Sequence, residues 1–301
     1  MVDPLSEVIT LLRPRTVFAK GISGAGAWAV RYAEFGQPSF CTVIEGRCRL
    51  AVDGSAAVTI EAGDFVLLPA TPGFTMSSLE PATPVHVDPT LAPVPGGEVR
   101  HGRRGGPPDV RLLGGGFLFD SPDAALLVSL LPAMLHLRGA ERLSTLVHFL
   151  GAESREERPG RDLVLSRLVE VMLIETLRSA PGEDAPPGLI RGLGDARLAA
   201  AIREIHAEPA RPWTVADLAG KAALSRSAFF DRFSRAVGMP PMAYLLAWRM
   251  ALAKDLLRRG AAGLAEVAER VGYGSASTFS TAFARHVGQA PGRFARGTPA
   301  A

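Results

Sequence analysis

The chain has 301 residues, 47% of them apolar and 21% charged, with a net charge of +3 and two cysteines; this balance excludes wholesale disorder and a disulfide scaffold and predicts about two domains of roughly 150 residues. No run approaches the roughly 18 uninterrupted apolar residues of a membrane span, since the richest, Ala124 to Leu131, is cut by Ser129 and stopped by Pro132. Asp3 and Glu7 stand where a secretory signal would carry basic charge ahead of an apolar core, so a reducing cytoplasm is the expected location.

Residues 15–90 read as a run of short strands. Val43-Ile44 and Cys48 to Val52 are expected to flank a tight turn at Glu45-Gly46. Val58-Thr59-Ile60 then leads through Glu61-Ala62-Gly63-Asp64 into Phe65-Val66-Leu67-Leu68-Pro69. Short β-rich segments separated by Gly and Asp suggest a sandwich or barrel. Residues 92–109 are expected to be loop, and Val110 to Leu113 and Phe117 to Phe119 two further strands around Gly114-Gly115-Gly116.

Helices follow. Ser121-Pro122 is a start signal, with Leu127, Leu130, Leu131, Met134 and Leu135 at helical spacing behind it. Leu143, Leu146, Val147 and Leu150 predict a second, short helix closed by Gly151. A third, from about Leu163 to Arg178, aligns Leu165, Leu168, Val169, Met172 and Leu173 on one face. Such a face either makes a dimer or covers its own domain. Residues 181–194, rich in Pro and Gly, read as a linker.

From Asp195 onward there are 15 Lys and Arg against 8 Asp and Glu, whereas residues 1–194 hold 18 against 22. The basic third points to an anionic partner, or to mere drift in an Arg-rich composition. It also contains one pattern twice. The first copy is Thr214 to Ala219, then Leu224-Ser225-Arg226-Ser227-Ala228-Phe229-Phe230, Phe233 and Gly238. The second is Leu264 to Ala268, then Gly272-Tyr273-Gly274-Ser275-Ala276-Ser277-Thr278-Phe279, Phe283 and Gly288. Each predicts a short helix, a tight turn, and a second helix opened by Ser, with two aromatics four residues apart on its inner face. That is a helix-turn-helix, twice. Pro240-Pro241 opens a long helix between them, through Tyr244, Leu245, Trp248, Leu252, Leu256 and Leu257. A rigid spacer suits major-groove faces that recur every 34 Å or so.

At these residues the chain resembles a known family. Residues 196–297 resemble the DNA-binding domain of AraC/XylS-type transcriptional regulators. The resemblance is carried by Gly272-Tyr273, Phe279-Ser280, Phe283 and Gly288-Gln289-Ala290-Pro291-Gly292-Arg293-Phe294, and by Trp248-Arg249 with Ala251, Ala253, Leu256 and Leu257. It implies double-stranded DNA as partner, with RNA polymerase a further one. It implies recognition faces made of Arg226, Ser227, Phe230 and Asp231, with Arg235 near a phosphate, and of Ala276, Ser277, Ser280 and Thr281, with Arg285 beside them. Arg suits guanine or phosphate, and short hydroxyl side chains suit polar contacts or a thymine methyl. Four positions depart from the pattern. Asp231 stands where relatives often carry Arg, Ala223 where Gly is common, Gly274 in place of an acidic residue, and Ala295 in place of Arg. If position 223 needs positive φ, Ala there costs stability.

Residues 3–120 resemble the cupin-type ligand-binding domain of one subgroup, through residues 3–7, Leu11 to Arg15, Trp28, Phe40 to Cys48, Ala62 to Pro69 and Phe117 to Asp120. The implied fold class is α+β: a cupin-like β-barrel with a helical dimerisation segment over 1–180, the linker, then an all-α domain of two helix-turn-helix units over 195–297. A small effector is expected in the barrel, with Trp28, Cys41, Val43 and Cys48 as candidate pocket residues, and the whole as a homodimer. The family's metal-type histidines are mostly replaced. Cys41 follows Phe40, Ala70-Thr71-Pro72-Gly73-Phe74 follows Pro69, and His86 and His101 form no close cluster. Neither metal nor cofactor is expected. Across the predicted hairpin, Cys41 and Cys48 would share one face at a diagonal of roughly 7 Å, either as small buried residues or as a redox pair. No phosphate loop, zinc-protease helix or nucleophile elbow occurs, so catalysis is not expected. A cupin enzyme with a helical appendage, or a regulator without effector, are the competing readings.

Overall fold

The structure, a computed structural model, describes residues 3–87, 98–121, 128, 131, 133–156, 158–179, 187–260 and 262–297. They fall into two compact units. One comprises the described parts of 14–119 and 133–180, the other those of 1–13, 120–132 and 181–301.

The first unit is a curled ten-stranded sheet with two helices. Its strands are β1 (Pro14–Ala25), β2 (Ala29–Tyr32), β3 (Ser39–Val52), β4 (Val58–Glu61), β5 (Phe65–Leu68), β6 (Phe74–Ser77), β7 (Val85–Val87), β8 (Glu98–Gly102), β9 (Val110–Phe119) and β10 (Leu135–Leu137). The sheet runs β7-β2-β6-β3-β9-β1-β8, with β4 and β5 also on β3 and β10 on β5. β3 is the organising strand. Its first half pairs with β5 and β9 and its second with β4 and β6.

The expected hairpin at Glu45-Gly46 is therefore absent. A register shift between Val43 and Glu45 and a φ of +73° at Gly46 bend one continuous strand instead of reversing it. A Cβ at residue 46 would lie 2.0 Å from the Asp109 carbonyl oxygen, so only glycine allows this approach. Cys41 consequently pairs with Gly114 and Val66, while Cys48 pairs with Ile60.

Three further expectations are corrected. Residues 98–102 are a strand rather than loop, held by parallel pairing to β1. Residues 110–119 form one strand across the three glycines, because both β1 and β3 pair along it. Leu135 opens β10 rather than ending a helix, since its run 135–137 pairs with β5. Most of that expected helix, like residues 92–97 and 181–186, lies outside the described residues.

Against the sheet pack α2 (Glu141–Arg155) and α3 (Arg161–Ser179), numbered after the N-terminal helix α1 (Pro4–Leu12). α2 runs past Gly151, where a Cβ would meet the Leu113 side chain at 2.8 Å. Glycine here sets helix-to-strand distance rather than ending the helix. Leu165, Val169, Met172 and Leu173 of α3 are buried, so that face covers its own unit. Phe149, Leu163, Val164 and Val171 remain exposed.

The second unit is helical: α1, α4 (Leu189–Gly194), α5 (Ala196–Ala207), α6 (Val215–Lys221), α7 (Arg226–Val237), α8 (Pro241–Arg259), α9 (Leu264–Arg270), α10 (Ala276–Val287) and α11 (Pro291–Ala295). The later part of the expected linker is thus α4, whose Leu189 and Ile190 are buried. α1 lies with this unit, packed on α5 and α8. Asp3 caps it, and Leu5, Val8, Ile9 and Leu12 are buried. Glu7 accepts at 2.7 Å from the ring of His206, whose other nitrogen meets the Tyr244 hydroxyl at 2.8 Å. Arg13 pairs with Asp255 at 2.5 Å. Among the described residues no helix is long and apolar enough to cross a membrane.

Candidate nucleic-acid interface

The two helix-turn-helix units are built alike. Thr214 and Asp217 form a reciprocal capping box at α6, Asp217 N donating to Thr214 Oγ1 at 3.1 Å and Thr214 N to Asp217 Oδ2 at 2.9 Å. The hydroxyl and backbone bonds from Thr214 hold the Asp217 carboxyl below its ordinary pKa. Ser225 caps α7 by accepting from Ala228 N at 3.3 Å, and Ser275 caps α10 by accepting from Thr278 N at 3.2 Å. Phe229, Phe233, Phe279 and Phe283 are all fully buried. Their ring pairs stand 5.5 and 5.4 Å apart.

α8 joins the units. Its nineteen residues span about 28 Å at 1.5 Å per residue. Tyr244 meets Phe233 edge-on at 5.8 Å, and Met250, Ala253 and Leu257 enter the core of the second unit with Val267, Phe279, Phe283 and Phe294. Arg249 donates from Nε to the Pro209 carbonyl at 2.7 Å and from a terminal nitrogen to the Arg211 carbonyl at 2.8 Å. This fixes the segment leading into α6 and gives the Trp248-Arg249 motif its structural reason.

Burying the aromatics turns the opposite side of each second helix outward. On α7, Arg226, Ser227, Phe230, Asp231 and Arg235 are all exposed, Phe230 at 41%. On α10, Ser277, Thr281 and Arg285 are exposed, while Ala276 and Ser280 are half-buried on the flank. The outward rows correspond: Ser227, Asp231 and Arg235 at four-residue steps on α7, Ser277, Thr281 and Arg285 on α10. Thr278, exposed beside Ser277, joins the α10 face. The sequence signal for it was its place three residues after the capping Ser275, next to the buried Phe279. Not every basic side chain is available: Arg232 pairs with Asp195, and Lys221 with Glu204 at 2.7 Å.

Trp28, Val43 and Cys48, proposed for the effector, sit in the apolar core of the sheet unit with Leu50, Ile60 and Val66. Cys41, half-buried, packs against that core. His101 stacks on Trp28 at 5.6 Å, and its Nε2 is buried without a hydrogen-bond partner. Burial, then the charge of Lys20, lower its pKa. Among the described residues no three His, Cys, Asp or Glu side chains converge to hold a metal ion. A groove of about 210 Å³ lies elsewhere in this unit, bordered by Ile44, Glu98, Arg111, Leu113 and His148.

A cupin family profile matches residues 3–180, and a helix-turn-helix domain profile matches 218–297. A putative AraC-like transcription regulator of Streptomyces lividans is 38% identical, with 97% of each chain covered. A second, from Streptomyces antibioticus, is 37% identical over 97% of this chain and 98% of its own length. The chain belongs to the AraC-like transcription regulators. The Escherichia coli RCS-specific HTH-type transcriptional activator RclR is 25% identical, over 97% of this chain and 96% of the relative. The fold matches what the sequence implied: a cupin-type sheet unit ahead of a double helix-turn-helix, in a DNA-binding transcriptional regulator. The cupin profile takes in α1, although that helix packs with the DNA-binding unit.

Proposed function

We propose that this AraC-like regulator reads two successive major-groove segments of an operator, α7 entering one and α10 the next. The observation that carries this is the matched pair of outward rows on helices mounted at either end of α8. Arg226, Ser227, Phe230 and Asp231 contact the first segment, and Ala276, Ser277, Ser280 and Thr281 the second, with Arg235 and Arg285 at phosphates. The sheet unit takes a small effector, with Trp28, Cys41, Val43 and Cys48 at its core. Effector binding acts by linkage: a ligand that prefers one arrangement of the protein shifts DNA affinity by its differential free energy. The exposed Phe149, Leu163, Val164 and Val171 support a homodimer formed through the sheet unit. The chain works in the cytoplasm without catalytic activity or cofactor, and RNA polymerase is a further partner.

The test is selection of bound duplexes by purified protein, followed by Arg226→Glu and Thr281→Glu. Each change is expected to weaken binding to the selected site at least tenfold by setting a carboxylate against the groove. Retained affinity in both variants would remove the recognition faces from the interface.

A further inference from the structure

The two recognition faces differ in hydrogen-bonding character. This difference rests on their placement in major grooves proposed above. At equivalent positions α7 carries Arg226, Phe230 and Asp231 where α10 carries Ala276, Ser280 and Thr281. On α10 the hydroxyl protons of Ser280 and Thr281 are already used. Ser280 Oγ donates to the Ala276 carbonyl at 2.7 Å, and Thr281 Oγ1 donates to the Ser277 carbonyl at 3.1 Å. Ser277 Oγ lies 3.1 Å from Ser275 Oγ, within the capping cluster that also holds the Thr278 hydroxyl at 2.9 Å. Ahead of Arg285 in the last turn, the helix therefore offers a groove oxygen lone pairs and the methyls of Ala276 and Thr281, but no charged donor.

That surface has a chemical preference. Guanine shows two acceptors in the major groove, O6 and N7, and a face this poor in donors leaves guanine acceptors unpaired on desolvation. An A·T pair shows an amine donor on adenine and a methyl on thymine, and α10 has a partner for each. The α7 face is the opposite case. Arg226 supplies a donor fork for guanine, and Asp231 accepts from the cytosine amine of the same kind of pair. We infer that α10 reads A·T pairs through thymine methyls and adenine amines, whereas α7 reads a segment that contains G·C.

The experiment begins with binding-site selection on the full chain. Arg226→Ala and Thr281→Ser then assign the half-sites, each relaxing preference at its own positions. Deoxyuridine is next substituted for thymidine, which removes only the C5 methyl. In the α10 half-site each uracil at a contacted position is expected to weaken binding about fourfold, the value of one buried methyl-sized group. In the α7 half-site uracil should change nothing. Thr281→Ser, which keeps the hydroxyl and loses the methyl, should abolish the uracil effect at the position Thr281 contacts. Guanine enriched in the half-site assigned to α10, or uracil tolerated there by the unaltered chain, overturns the inference while leaving groove binding intact. Failure to select any sequence overturns both.

Discussion

Ala223 and Gly272 occupy the same position in the two helix-turn-helix units. Both have positive φ, +51° and +80°. The next residue in each donates five positions back, Leu224 N to the Ala219 carbonyl at 3.0 Å and Tyr273 N to the Ala268 carbonyl at 2.8 Å. Only the second unit uses glycine there, so the first turn carries a strain that the second avoids. Ala223→Gly is expected to stabilise the helical unit by about 0.5–1 kcal/mol, the left-handed penalty less the extra freedom glycine gains when unfolded. Gly272→Ala should cost roughly 2–3 kcal/mol, because its Cβ would also lie 2.6 Å from the Ala210 carbonyl oxygen. Urea unfolding of the two variants measures both. Failure of the two changes to act in opposite directions would show that the two turns are not equivalent.

His206 gives the helical unit a pH dependence. Burial lowers its pKa below the ordinary 6.5, while hydrogen bonding to Glu7 and the charges of Glu7 and Asp3 oppose without cancelling. The Tyr244 hydroxyl completes the ring's surroundings, and burial pushes its pKa up, so it stays neutral. Below pH 6.5 the unfolded chain takes up a proton that the folded ring still refuses. Stability contributed by His206 is therefore full above pH 6.5 and falls as pH drops from there toward the folded value. Glu7→Gln removes the charge that favours protonation, lowers the folded pKa further and deepens the loss. Unfolding midpoints between pH 5 and 8 test this; a flat profile in both proteins would contradict it.

Arg235 is expected to act through charge rather than sequence. Its Nε reaches the Asp231 carbonyl at 3.3 Å, and its guanidinium is at the exposed end of α7. Arg235→Ala should weaken binding to all duplexes alike and lower the slope of log affinity against log salt by about 1. Arg226→Ala should instead relax preference at particular base pairs. Fluorescence anisotropy across a salt series separates the two.

The thiols should be sluggish. Cys41 keeps part of its surface open, yet burial pushes its pKa up to about 12. Burial and then the nearby Cys41 push Cys48 up to about 12 as well. At pH 8 under native conditions, iodoacetamide is expected to label both at least a hundredfold more slowly than a free cysteine, because the thiolate is the reactive form. Mass spectrometry over time gives the rates. Rapid labelling of Cys41 would revive a redox role.

Docking of α1 can be tested through Val8, which has no exposed surface. Val8→Asp buries a charge without a partner and should cost more than about 3 kcal/mol. Thr10→Asp, on the exposed side of the same helix, should stay within about 0.5 kcal/mol.

The helical third was legible because its signals are local. Phe229 with Phe233 and Phe279 with Phe283 fix one face, Ser225 and Ser275 fix the starts, and everything between follows from helical period. The sheet was less legible where partners are remote. Gly46 looks like a turn in sequence, and only the Asp109 carbonyl pressing on it shows that a strand passes through. Residues 98–102 carry charge and glycine, and β1, more than seventy positions away, makes them a strand. Among the proposed recognition residues, type and exposure of Arg226, Ser277 and Thr281 could be read. That Ala276 and Ser280 are half-buried flank positions could not, since it depends on how α10 is rolled against its neighbours. The membership of α1 was invisible for the same reason: its partners, His206, Tyr244 and Asp255, lie some two hundred residues downstream.

That separation has a consequence for biogenesis. Arg13 and Asp255 are 242 positions apart. At a synthesis rate of about 5–20 residues per second, the first helix leaves the ribosome roughly 12–48 seconds before its counterpart is made. For most of that interval Leu5, Val8, Ile9 and Leu12 have no native surface to cover them. The strands of the sheet are translated meanwhile, so the helical unit is begun before them and finished after them.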